Sequence, residues 1–181
     1  MRLSAKLTQE PGRLVIDYPL TNTRAGALFA YDQLLRIAPS GVSAPGPTLA
    51  YAMLAGQAQV TAGKFLVPIP RGMRVEAPEM PLLSRVEPGA THTGQAIMAL
   101  PLMRSLAYAE PGHALPPRPI QRLRFVIGYV DMARVPGRDA AFGAMPEPFK
   151  GLFRLDYGNG IELQEFVEAG FALDPAVDGK F

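Results

Sequence analysis

Proline and glycine interrupt this chain at short intervals: 19 prolines and 18 glycines, about a fifth of 181 residues, occur without a fixed period. Proline lacks the amide hydrogen and glycine the side chain that regular elements use, so such punctuation divides a chain into short pieces joined by turns. Short pieces favour strands over long helices. With 48% hydrophobic and 19% charged residues, the chain has enough apolar side chains for one large core. The absence of cysteine excludes disulfides, thiolate nucleophiles and zinc sites of the cysteine type.

The apolar residues recur with period two. Leu3, Ala5 and Leu7, then Leu14, Ile16, Tyr18 and Leu20 after the turn at Glu10-Pro11-Gly12, predict a hairpin. Pro19 suits an edge or a bulge. Leu28 to Ile37 reads as a strand between two turn clusters, although Leu28, Tyr31 and Leu35 also fit one helical face. Residues 38–48 are a connection, and Leu49 to Leu54 with Gln59 to Val67 bracket a hairpin loop at Ala55 to Ala58. Residues 68–81 form a second proline-rich connection. Leu82 to Val86 and Thr91 to Leu100 are strands around the turn Glu87-Pro88-Gly89-Ala90, followed by a long irregular stretch over 101–119. The clearest strand puts Leu123, Phe125, Ile127 and Tyr129 on one face and Arg122 and Arg124 on the other. After a connection over 131–148, Phe149 to Tyr157 reads as the last core strand and Gly158-Asn159-Gly160 as a turn. Residues 161–173 fit a helix or a strand. Eight or nine such strands predict an all-β fold: one domain spanning 1–181, a two-sheet antiparallel β-sandwich with long proline-rich loops and at most one short helix.

Val15-Ile16-Asp17-Tyr18-Pro19-Leu20-Thr21-Asn22-Thr23 resembles the early strand of bacterial immunoglobulin-like domains. Val86-Glu87-Pro88-Gly89-Ala90-Thr91 resembles the Pro-Gly turn before a later strand of the same group. The resemblance covers about a third of the chain and implies a fold without catalytic residues. The sequence departs from the pattern in carrying Thr23 where glycine is usual, and in its length. The extra residues fall in the connections 38–48, 68–81, 101–119 and 131–148, where function is expected to lie.

Charge is distributed unevenly. Residues 71–138 hold 9 basic and 5 acidic side chains, whereas residues 139–181 hold 3 and 8. This lacks the dense basic face of a nucleic-acid binder, so no nucleic-acid partner is expected. No stretch approaches a membrane span, and Met1 to Lys6 runs directly into strand-like sequence without an apolar signal core. The chain as it stands is expected in the cytoplasm, or in the periplasm or outside the cell if an export signal has been removed.

No motif for a cofactor or metal emerges. His92 and His113 would need Glu87 or Glu110 to complete a metal site, at no recognisable spacing. Ser40 and Ser43 lie in a Gly/Pro loop without a nucleophile elbow. Glu162 and Glu165 read as an acidic surface, Gly158 to Gly160 lacks the remainder of a phosphate loop, and Pro116 to Pro119 reads as a rigid loop. The candidate binding residues are Arg122 and Arg124, joined by Arg118 and by Arg134 or Arg138 from flanking loops, because guanidinium forks suit carboxylates and phosphates. The acidic C-terminal segment would either cover this face or meet it on a second subunit. The expected function is a non-catalytic protein-binding or assembly module that presents the proline-rich loops and the alanine-rich segment 42–58 to a protein partner or a second copy. The alternatives are a hydrolase built from loops and a carbohydrate-binding sandwich, the latter disfavoured by the lack of tryptophan.

Overall fold

A computed structural model describes residues 1–37, 43–108 and 118–180. The fold is all-β, with two sheets packed face to face. The smaller sheet holds β1 (Arg2–Leu3), β2 (Lys6–Glu10), β3 (Arg13–Thr21) and β9 (Thr91–Ala99). The hairpin β2–β3 turns at Pro11-Gly12, where Gly12 takes φ +77°, a region open to glycine without strain. β1 and β2 share one flank of β3, and β9 runs along the other. Pro19 stands opposite the break between β1 and β2, where Ser4 N donates to its carbonyl, so its missing amide hydrogen costs the ladder nothing.

The larger sheet holds β4 (Leu28–Ile37), β5 (Ser43–Gly46), β6 (Tyr51–Leu54), β7 (Gln59–Lys64), β8 (Leu82–Val86), β10 (Leu102–Met103), β11 (Arg118–Asp131), β12 (Gly143–Ala144), β13 (Phe153–Arg154) and β14 (Glu165–Lys180). Its spine is β11, paired with β14 on one side and with β7 and then β4 on the other. Most pairs are antiparallel, as expected, but β7 with β11 and β10 with β14 are parallel. The turn at Glu87 to Ala90 does not join a hairpin: it carries the chain from β8 in the large sheet to β9 in the small one.

The core between the sheets contains Leu14, Ile16, Tyr18 and Leu20 of β3 and Leu123, Phe125, Ile127 and Tyr129 of β11, the faces that period two assigns inward. A second cluster covers the opposite face of the large sheet, where Phe29, Tyr31, Leu83 and Val130 pack against Phe142 and Leu155. β4 is therefore buried on both faces. That is why Leu28 to Ile37 shows no clean alternation, although it is the strand expected.

The C-terminal quarter differs from expectation. Phe149 to Tyr157 is not a core strand: only Phe153 and Arg154 pair, and Tyr157 opens a helix, α1 (Tyr157–Leu163). The Gly158-Asn159-Gly160 turn lies inside that helix. Asp156 caps it by accepting from Asn159 N at 2.9 Å, and Gly160 fits because an added Cβ would meet Leu66 and Tyr31. The last core strand is β14, 16 residues long, so 161–173 contains the end of the helix and much of a strand. Strand segments outnumber the expected eight or nine because two-residue pairings such as β10 and β12 sit inside connections and have no periodicity to betray them. Ser40, Glu110, His113, Pro116 and Pro117 lie outside the described residues.

Phe125 is fully buried, with its ring 5.2 Å from that of Tyr18 across the sandwich. Phe125→Ala is expected to lower unfolding stability by roughly 3–5 kcal/mol through lost burial and a cavity, read as a lower urea midpoint; a loss under about 1 kcal/mol would show that this contact is not central.

Candidate functional site

Between the sheets lie charged side chains that an apolar core excludes unless they are satisfied. Lys64, at the end of β7, has no exposed surface, and its Nζ donates to the carbonyls of Asp32 (3.0 Å), Gln95 (2.9 Å) and Pro47. These acceptors come from β4, from β9 in the other sheet and from the segment after β5. The ring of Tyr18 adds a cation–π contact at 5.2 Å, and Tyr18 lies flat against Gly94, where an added Cβ would fall 2.4 Å from the ring. Burial pushes the Lys64 ammonium down to about 8, against the attraction of Asp32.

The Asp32 carboxylate, also buried, accepts from Ser84 Oγ at 2.7 Å and pairs with His92 Nε2. Its hydrogen bond raises the His92 pKa above the ordinary 6.5, against partial burial and the repulsion of Lys64. Serine, aspartate and histidine thus converge, but in an order that hydrolysis cannot use. In a serine nucleophile the histidine must stand between serine and carboxylate to take the hydroxyl proton. Here the carboxylate stands in the middle, and Ser84 donates to it. The arrangement neutralises charge and ties β4 and β8 to β9; it does not activate a nucleophile.

Of the arginines singled out in the sequence, Arg122 and Arg124 are exposed on the outward face of β11. Arg118 does not join them. Gln121 N and Arg122 N both donate to Ala58 O, a bulge that reverses the facing of the strand, so Arg118 shares the parity of buried Ile120. Arg134 lies elsewhere: with Arg24 it holds Glu165, at 2.7 and 2.6 Å, and Arg24 also reaches Asp131 at 2.6 Å. Burial would raise the Glu165 pKa, but hydrogen bonds from Arg24, Arg134 and Tyr129 hold it down at about 2. The acidic segment does lie beside the arginines, because β14 is the neighbour of β11 and Glu168 sits 3.4 Å from Arg124. Glu87 pairs with Arg85 at 2.7 Å. Among the described residues no three histidine, aspartate or glutamate side chains gather as a metal ion would need. The segment expected to be displayed, 42–58, is used inside in part: Tyr51 and Ala52 are buried and Leu49, Met53 and Leu54 pack against core clusters, whereas Pro47 and Ala55 to Gln57 are exposed.

An open concave surface lies over β8 and β13 of the large sheet. Two abutting clefts, of about 590 and about 450 Å³, share Pro78, Met80, Met145 and Arg154. The larger is floored by Leu35 of β4 and Leu82 of β8. Connections 68–81 and 131–148 form the walls, and the exposed edge strand β12 borders the smaller cleft. Arg154 lies in both clefts and makes no ion pair among the described residues. The acids near it are engaged: Glu79 accepts from Tyr51 Oη at 2.6 Å, and Asp156 caps α1.

No known protein family, curated protein or solved structure matches this chain. The sequence patterns single out neither Asp32 nor Lys64, yet a signal was present. Each is an isolated charge inside an apolar strand, Asp32 between Tyr31 and Gln33 and Lys64 between Gly63 and Phe65, and an isolated charge in such a setting must be paired. Met80, Met145 and Arg154 carry no signal, because only the tertiary fold brings them together.

Because His92 is more basic folded than unfolded, its contribution to stability is complete below the unfolded pKa and is lost as pH rises through the folded one. Lys64 titrates in the opposite sense, from about 8 upward. The stability advantage of the parent over His92→Gln should therefore be larger at about pH 5.5 than at about pH 7.5 in urea unfolding; equal advantages would contradict the ion pair with Asp32.

Proposed function

We propose that this domain is a non-catalytic protein-binding module whose recognition surface is the double cleft around Met80, Met145 and Arg154. The observation that supports the reading is the pairing of an open apolar surface with a guanidinium that makes no ion pair among the described residues. Methionine is unbranched and polarisable and moulds to varied apolar side chains. The volume matches one or two bulky side chains of a partner segment. The edge strand β12 offers backbone groups to an extended segment lying along the cleft, and Arg154 selects a carboxylate beside the apolar anchor. The arrangement of Ser84, Asp32 and His92 gives the hydrolase alternative no nucleophile to use.

Selection of a displayed random-peptide library on the purified domain tests this. Enriched peptides should share a large apolar residue with an acidic neighbour. Their affinity should fall about tenfold or more for Met145→Lys and less for Arg154→Gln. Absence of enrichment, or peptides that bind both variants as well as the parent, would overturn the reading.

A further inference from the structure

The longest strand of the fold has an open edge. β14 is paired with β11 along one side, but on its other side the described residues supply only β10, which meets it at Gly179 and Lys180. Gln9 bonds to it, its carboxamide accepting from Asp174 N and donating to Pro175 O, and β1 of the facing sheet lies close to the strand without pairing with it. Residues 165–173 thus offer nine residues of edge, about 30 Å long, with no described strand hydrogen-bonded to them on that side. Such edges are sites of strand addition unless charge, proline or a covering segment blocks them. The core beneath is only partly covered at this edge. Val167 and Phe171 point toward the inter-sheet core but stay half-exposed, as do Leu3, Ala5 and Leu7 on the facing edge of the small sheet, and Phe166 on the outer face is 55% exposed.

We propose that two copies of this chain pair antiparallel through β14, with Gly170 opposite Gly170 of the second copy. The sequence of the strand is self-complementary in this register. A two-fold axis normal to the sheet through the Gly170 pair keeps inward residues inward, setting Ala169 against Phe171 and Val167 against Leu173. On the outer face Glu168 falls opposite Ala172 and Phe166 opposite Asp174, so no like charges stand directly across the junction. Within each copy Ala172 lies beside Arg122, which makes no ion pair among the described residues. Across the small Ala172 side chain Arg122 faces Glu168 of the second copy, and the same contact recurs on the other side of the axis. The Gly170 pair leaves room beside each Arg124, since nothing lies within 4 Å of a Cβ built at that position. The occupant of this edge is a second copy because the apolar rows, the small residues and the charges all match when the strand is reversed on itself.

The chain contains no cysteine, so single cysteines read the register directly. In the proposed register Gly170→Cys places two sulfurs on directly opposed residues, whose Cα atoms stand about 4.5–5.5 Å apart, within disulfide range. Ala172→Cys puts them four residues out of step, about 13 Å apart. Under mild oxidation Gly170→Cys should give a covalent dimer and Ala172→Cys should stay monomeric on a denaturing gel. Light scattering of the parent should give twice the chain mass at micromolar concentration. Arg122→Glu and Glu168→Arg should each weaken the dimer about tenfold, and the double exchange should restore it, with unfolding midpoints confirming that all variants are folded. A parent that stays monomeric up to millimolar concentration, or Ala172→Cys linking as readily as Gly170→Cys, would overturn the proposal.

Discussion

The Lys64 ammonium is buried between two sheets and held by backbone carbonyls from both of them. Removing an ammonium from water costs several kcal/mol even after relaxation, so such a group survives only where acceptors surround it and a counter-charge is near. Meeting that condition fixes much of the fold. β4 must present the Asp32 carbonyl, β9 must bring Gln95 across the sandwich, and the segment after β5 must close over the top with Pro47. Asp32 supplies the counter-charge and is itself anchored by Ser84 and His92. A slip of one residue in β4 or β9 would turn these groups away and leave a bare charge in the core, so the network sets the register of the two sheets as firmly as the apolar contacts do.

The double cleft proposed for recognition adjoins the same two strands, β4 and β8, that carry Asp32 and Ser84. Connections and two-residue strands wall the cleft over Leu35 and Leu82, and its methionines, with an arginine that makes no ion pair among the described residues, are the groups the proposed recognition uses. The β14 edge lies on the opposite flank of the large sheet, four strand positions from β13, so self-association and partner capture need not compete. A dimer would present two clefts, and a partner with two binding segments would then gain by avidity.

The architecture was readable wherever one face of a strand is buried and the other is wet, because period two is then visible: β2 with β3, and Leu123 to Tyr129. It blurred at Leu28 to Ile37, which is buried on both faces. It was misread after Phe149, where a capping aspartate three residues before Asn159 outweighed the turn chemistry of two glycines. Arg122 and Arg124 were correctly placed outward, but a bulge at Gln121 that no pattern announces separates them from Arg118. The buried network was legible only as two isolated charges in apolar strands, and their pairing across 32 residues of chain required the fold.

The most direct test of the central claim is nitrogen-15 NMR of the Lys64 side chain near neutral pH. A three-carbonyl cage in the core predicts a resolved ammonium resonance whose protons exchange slowly with water and couple through hydrogen bonds to backbone carbonyls. A Lys64 signal broadened by fast exchange, with the shifts of a solvated lysine, would contradict the cage and the account of the fold built on it.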